Sequence, residues 1–191
     1  MLLYTDIITG DELFSDAFPM KEIPGAFEVD CKMITIGDDD IDIGANPSAE
    51  GGDDEAVESS AQTVNNVVHS FRLVETSFDK KSYVTYIKGY MKSLEKKFNE
   101  TIDGLKPEEA KNDEEKAKIE EKIDETKKQL DAFKKNAAEL AKKIVGNFKD
   151  YEFYTGESMN PDGMVALLNY REDGVTPYFT FFADGVKKEK L

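Results

Sequence analysis

Apolar and polar residues alternate along Phe27-Glu-Val-Asp-Cys-Lys-Met33, and the apolar run continues to Ile36. A period of two places successive side chains on opposite faces of a strand, so the pattern predicts a half-buried strand over 27–36. Further strands are predicted over Leu2–Ile8, around Glu12–Phe14 and over Asn65–Thr76. The period changes at Asp79. From there Tyr83, Ile87, Tyr90, Met91, Leu94, Phe98 and Ile102 recur every three or four residues, one apolar stripe along about six helical turns. Asp79 is a suitable N-cap, because its carboxylate accepts a free first-turn N–H. Gly104 and Pro107 punctuate the end.

A second stripe follows at Ile119, Ile123, Leu130, Phe133, Ala137, Leu140, Ile144 and Phe148. Its outer face carries pairs such as Glu114 and Lys118, each worth about 0.2–0.5 kcal/mol on a helix. Two striped helices joined by a short turn form an αα-hairpin. Helical from 112 to 145, the second arm spans about 50 Å at about 1.5 Å per residue, longer than any sheet edge predicted here. The hairpin is therefore expected to project. After residue 149 the pattern returns to strands, with turns at Asn160-Pro-Asp-Gly163, Asp173-Gly174 and Asp184-Gly185. Met164–Tyr170 and Pro177–Phe182 are the strands they bracket. The expectation is a single α+β domain over 1–191. A helical hairpin, 79–146, is inserted between β segments 1–78 and 147–191, and an acidic loop occupies 37–62.

Charge divides the chain in the same places. The formal net charge is −15. Residues 1–78 hold 17 acidic and 3 basic side chains, residues 79–146 hold 15 and 17, and residues 147–191 hold 8 and 5. The acidic total argues against nucleic acid as a main partner, since phosphate binding needs a basic footprint. Cys31 is the only cysteine, so no disulfide forms within the chain. Its place in an internal strand argues against a disulfide-linked dimer; a monomer and a reducing compartment are expected. The start Met-Leu-Leu-Tyr-Thr-Asp6 has no basic n-region or long apolar core, which predicts no signal peptide. No apolar run is long enough to span a membrane. A cytoplasmic protein follows as the expectation.

Little in the sequence points to turnover. Gly37–Glu55 holds eight acids in nineteen residues, with Asp38, Asp40 and Asp42 alternating as calcium-loop ligands do. Counted as an EF-hand from Asp38, position 6 is Ile43 and position 12 is Ala49. Gly44 and Glu50 each arrive one residue late. The stretch is not an EF-hand. It is either a mobile acidic loop or a weak, irregular calcium site drawing on Asp38, Asp40, Asp42, Glu50 and Asp53. Zinc would need four soft or imidazole ligands, and the chain holds one His and one Cys. His69 reads as a structural or surface residue. A Cys31–His69 pair is conceivable but has no supporting motif, and no GxxxxGK[ST] or GxGxxG loop is present. Glu157, Asp162 and Glu172 read as turn and surface acids. No cofactor is required and no catalytic residue is assigned.

Two long segments carry a resemblance. Ile43-Gly-Ala-Asn-Pro-Ser-Ala-Glu-Gly-Gly-Asp53 resembles the first signature of the translationally controlled tumour protein (TCTP) family. Phe148-Lys-Asp-Tyr-Glu-Phe-Tyr-Thr-Gly-Glu-Ser-Met-Asn-Pro-Asp-Gly-Met-Val-Ala-Leu-Leu-Asn-Tyr170 resembles the second. Asp11–Asp16, Glu75–Phe78, Tyr86–Ser93 and Tyr170–Tyr178 also match, so the resemblance covers nearly the whole chain. It implies a β-tent, a small multi-sheet core similar to a Rab-GTPase exchange factor, with a projecting helical hairpin and a flexible acidic loop. It also implies calcium binding, tubulin and microtubule binding, contacts with translation elongation factors and a link to growth control.

Exchange activity on the Ras-like GTPase Rheb is a further implied role. On that reading Glu12 is the GTPase contact, its carboxylate competing for magnesium or for the phosphate-binding lysine; the alternative is a turn acid. Ser59 resembles a phosphorylated loop serine. A second such serine is replaced near Ile41, so that regulatory site does not carry over. Residues 99–128 are longer and more charged than is usual in the family. Lys80, Lys81, Lys88, Lys92, Lys96 and Lys97 give the hairpin a basic face for acidic tubulin, or else a solvated helical face.

Overall fold

The computed structural model describes residues 1–36 and 62–191. In chain order the strands are β1 (Leu2–Asp6), β2 (Glu12–Ser15), β3 (Met20–Ile23), β4 (Ala26–Asp30), β5 (Met33–Ile36), β6 (Gln62–Asn65), β7 (Val74–Thr76), β8 (Glu152–Thr155), β9 (Ala166–Tyr170), β10 (Pro177–Phe182) and β11 (Val186–Lys190). The helices are α1 (Asn66–Phe71), α2 (Lys80–Asp103) and α3 (Asp113–Gly146). Three antiparallel sheets form among the described residues: β11-β1-β2, the six-stranded β3-β4-β10-β9-β8-β7, and the ribbon β5-β6. The first and last β zones thus share one sheet, with β4 paired to β10 from Tyr178↔Asp30 to Phe182↔Ala26.

β10 sits in the middle of the large sheet, and all six of its residues are buried because both sheet faces are covered. On one face Phe181 stacks on Phe14 of β2 at 4.4 Å, and Phe27 meets Tyr4 of β1 edge-on at 5.4 Å. On the other face Phe182 meets Tyr90 of α2 at 5.8 Å, and Phe153 of β8 meets Tyr83 at 5.2 Å. The base of the hairpin is therefore a layer of the core. At the β3–β4 turn Gly25 has φ +82°, and a Cβ there would stand 2.8 Å from the Asn136 Cβ of α3. Only glycine meets both the turn and the close approach.

The predicted helices form where expected. Asp79 caps α2 in a reciprocal box: its carboxylate accepts the Ser82 N–H at 2.7 Å, and Ser82 Oγ accepts the Asp79 N–H at 3.0 Å. Those bonds hold the Asp79 carboxyl below its ordinary pKa. Asn112 caps α3, its side chain accepting the Glu115 N–H, and the helix runs 34 residues from Asp113. The two stripes pack together, with Phe98 and Phe133 5.6 Å apart.

Two predicted strands need correction. Phe27–Ile36 is two strands in different sheets. The chain swivels at Cys31 and Lys32, where Cys31 N–H still bonds Pro177 on the large sheet and Lys32 pairs with Asn66. Asn65–Thr76 is strand only at its ends, in Asn65 and Val74–Thr76, and helix α1 takes its middle. Asn65 Oδ1 accepts the Val67 and Val68 N–H groups, and Arg72 ends the helix in the left-handed region at φ 56°. Burial of Val67 and Phe71, four residues apart, outweighs the β-propensity of Val-Val. β3, which had no separate signal, is an edge strand of the large sheet.

Candidate functional site

Two surfaces carry the residues singled out above. The first is the outer side of α2. At about 100° per residue, Lys81, Lys88, Lys92 and Lys96 fall within one narrow stripe opposite the buried Tyr83, Ile87, Tyr90 and Leu94. Lys80 and Lys97 do not share it. Lys80 and Lys97 flank the buried stripe on its two sides, so six lysines reduce to a row of four. All six are exposed. No carboxylate among the described residues forms an ion pair with the four in the row. Across the groove to α3, Lys134 reaches Glu95 at 3.1 Å. Lys88, Met91, Lys92, Glu95, Phe133 and Lys134 line that groove, about 270 Å³ in volume.

The second surface surrounds Glu12 at the start of β2. Its carboxylate is engaged: Arg72 Nη2 lies 3.6 Å from Glu12 Oε2, and Arg72 Nε lies 2.9 Å from Glu157 Oε2. The Glu157 hydrogen bond, with both negative charges, raises the guanidinium pKa further. Next to it Asp11 Oδ2 accepts the Ser158 hydroxyl at 2.6 Å. The segment after β8 is thereby held against the start of β2. Asp6, buried at the end of β1, adds to the closure by accepting the Ile8 and Met164 N–H groups at 2.8 and 2.7 Å. In the sequence Glu12 stands alone and Glu157 reads as a turn and surface acid. Arg72, which joins them, carried no signal beyond its charge.

Asp38, Asp40, Asp42, Glu50, Asp53 and Ser59 lie outside the described residues. Among the described residues, no three of His, Cys, Asp and Glu group as metal ligands. Cys31 is buried, its Sγ donates to the Val29 carbonyl at 3.6 Å, and burial pushes the thiol pKa up from 9.0 to about 11. Such a thiol is protonated at neutral pH and is a poor nucleophile. His69 is exposed in the last turn of α1. The shortest ion pairs among the described residues lie elsewhere. Arg171 reaches Glu28 at 2.6 Å and Asp30 at 2.7 Å, with its guanidinium 3.9 Å above the Tyr178 ring. It clamps β4 to β10 beside the β9–β10 turn. No described helix is long and apolar enough to cross a membrane.

A two-sided six-stranded sheet, a small three-stranded sheet beside it and a helical hairpin laid on its outer face make an α+β β-tent. The family model described as translationally controlled tumour protein matches residues 1–118 and 113–187. The chain is 54% identical to the translationally-controlled tumor protein homolog of Yarrowia lipolytica and 50% identical to that of Saccharomyces cerevisiae, over the whole of both chains in each case. The solved structure of the translationally controlled tumor-associated protein of Schizosaccharomyces pombe matches at 50% identity with a TM-score of 0.73, covering all of both chains. The Caenorhabditis elegans protein matches at 29% identity with a TM-score of 0.58, covering all of this chain and 99% of its own. The chain belongs to the translationally controlled tumour protein family.

Proposed function

We propose that this protein works by contact, without turnover, and that its principal contact is an acidic protein surface, tubulin, met by the lysine row of α2. The observation that carries the reading is the alignment of Lys81, Lys88, Lys92 and Lys96 on the solvent side of a helix whose other side is fixed in the core. A row held on a rigid support loses little freedom when it meets its partner. The chain's −15 total does not forbid this, because exposed charges more than about 8 Å apart are largely screened at physiological salt. Family membership supports the cytoplasmic, cytoskeleton-associated setting and the elongation-factor contacts expected of such a protein. It also supports weak calcium binding by the acidic segment.

Co-sedimentation with polymerised microtubules tests the reading. Lys88→Glu, Lys92→Glu and Lys96→Glu together should abolish pelleting, and raised salt should weaken the wild type. Lys97→Glu, off the row, should have the smaller effect. Unchanged pelleting of the triple variant rejects the hairpin as the tubulin site.

A second reading, regulation of a Rheb-type GTPase through Glu12, is favoured by one feature: two carboxylates share the single Arg72. A basic group on a partner could draw Glu12 away and leave Arg72 with Glu157. Fluorescent-nucleotide release from the GTPase should then accelerate with wild type and not with Glu12→Val. No acceleration by the wild-type protein at micromolar concentration removes this reading.

A further inference from the structure

β7 ends the six-stranded sheet, and it lacks the lysine or proline that two other edges carry. It pairs with β8 from Val74↔Thr155 to Thr76↔Phe153 and with no other described strand. Edge strands are ordinarily guarded against added strands by lysine, proline or inward charge. The opposite edge, β3, carries Lys21 and Glu22 between Pro19 and Pro24, and β11 carries Lys187, Lys188 and Lys190. β7 reads Val-Glu-Thr, with neither lysine nor proline in it or beside it. In an antiparallel ladder alternate residues turn their N–H and C=O groups outward. Among the described residues, no further hydrogen bond takes the main chain of Glu75, Thr76 or Ser77.

Two cavities lie along this edge, one on each side of Phe78. The first, about 440 Å³, is walled by Val74, Tyr86, Met159, Pro161 and Val165. The second, about 400 Å³, is walled by Phe148, Tyr151 and Phe153. Both include Glu75, Thr76 and Ser77. Met159 holds φ +58°, rare for a residue with a Cβ, and is 60% exposed. A strained, exposed apolar side chain at a cavity rim is unusual away from a binding surface. The charged residues bordering the two cavities are Glu75, Glu152 and Lys149, an acidic balance, and the Glu75 carboxylate accepts the Tyr154 hydroxyl at 3.3 Å.

We infer that β7 is a strand-addition site for an extended segment of a basic partner protein, with apolar residues two apart. Side chains two apart along a strand share a face about 7 Å from one another, so consecutive apolar residues enter the two cavities. The residues between them turn to the opposite face, where Glu75 meets a Lys or Arg. The site stands apart from the α2 lysine row and selects the opposite charge.

The test uses the full chain and the fluorescent peptide acetyl-Lys-Leu-Arg-Val-Lys-Ile-Arg-amide, with acetyl-Leu-Val-Ile-Lys-Arg-Lys-Arg-amide as a control of equal composition. The alternating peptide should bind about tenfold or more tighter by fluorescence polarisation. Amide chemical-shift changes should centre on Val74–Phe78 and Met159–Val165. Glu75→Lys, which installs the guard found on β3 and β11, should abolish binding. Met159→Asn, tolerated at positive φ, should weaken it while leaving the spectrum of the free protein otherwise unchanged. Equal affinity of the two peptides, shifts spread over acidic surface elsewhere, or no saturation up to about 1 mM overturns the inference. Concentration-dependent dimerisation of the free protein that Glu75→Lys abolishes also overturns it, by assigning the edge to a second copy.

Discussion

The two ends of the helical hairpin share one apolar stripe and have different surroundings. Near the sheet, Tyr83, Ile87, Tyr90, Leu140 and Ile144 are buried, Tyr83 against Phe153 of β8 and Tyr90 against Phe182 of β10. From residue 99 to residue 125 no side chain is buried, and Ile102, Ile119 and Ile123 are only half covered. The lysine row lies on the anchored end, between residues 81 and 96. The projecting hairpin is thus part of the core at its base and solvated toward its tip. The charged surface proposed for contact is borne by the part of the hairpin that belongs to the core. Rigidity and charge coincide there, and the tip has charge alone.

The largest effect should come at the anchored end. Ile144→Ala removes a fully buried side chain and should cost about 2–5 kcal/mol in urea unfolding. A loss below about 1 kcal/mol would mean the hairpin base is not a core layer. Arg171→Ala tests the platform beneath, since Glu28 lies on the sheet face that carries the hairpin. Removing the guanidinium leaves the buried Glu28 carboxylate unpaired, a loss of about 2 kcal/mol given that Arg171 is itself partly exposed. The double change Arg171→Ala with Glu28→Gln should cost less than the sum of the two single changes.

Cys31 gives a smaller effect with a defined sign. Its folded pKa, about 11, lies above the ordinary value of 9.0 because burial disfavours the thiolate. The unfolded chain thus releases its proton first as pH rises. The thiol's contribution to stability is complete below pH 9 and declines as pH rises toward 11, on the order of 1 kcal/mol per pH unit. Cys31→Ala should flatten that limb of the stability profile. Disulfide-exchange labelling of Cys31 near pH 8 should follow unfolding rather than direct attack. Rapid labelling of the native protein would contradict the burial.

The hairpin was legible because a period of 3.6 and an Asp cap both act locally. The shared sheet was legible in outline, from strands at both ends of the chain and the strong turns at Asn160–Gly163 and Asp173–Gly174. What failed depended on partners distant in sequence or on competing local forces. Val67-Val68 favours a strand by composition, yet Asn65 satisfies two free N–H groups and starts a helix. Cys31 continues an alternating run through a point where the chain leaves one sheet for another. Glu12, Arg72 and Glu157 meet across 60 and 85 residues of chain, and no spacing rule encodes that. The narrower lysine row was available in principle, because helical period alone separates Lys97 from Lys92 and Lys96.

The smallest effect belongs to the tip. Ile119 is on the same stripe as Ile144, with the same side chain, about seven turns farther out. If the distal hairpin is held only by its own two helices, Ile119→Ala removes a side chain that is already partly in water. The transfer loss is then a fraction of the full burial value and little cavity remains, so the cost should fall below about 1 kcal/mol. Hydrogen exchange should also be faster in residues 105–120 than in 83–94, because the tip can open without disturbing the sheet. Equal costs at Ile119 and Ile144, with equal exchange along both helices, would show the hairpin folding as one unit with the core. In that case the tip would have a packing role in addition to its charge.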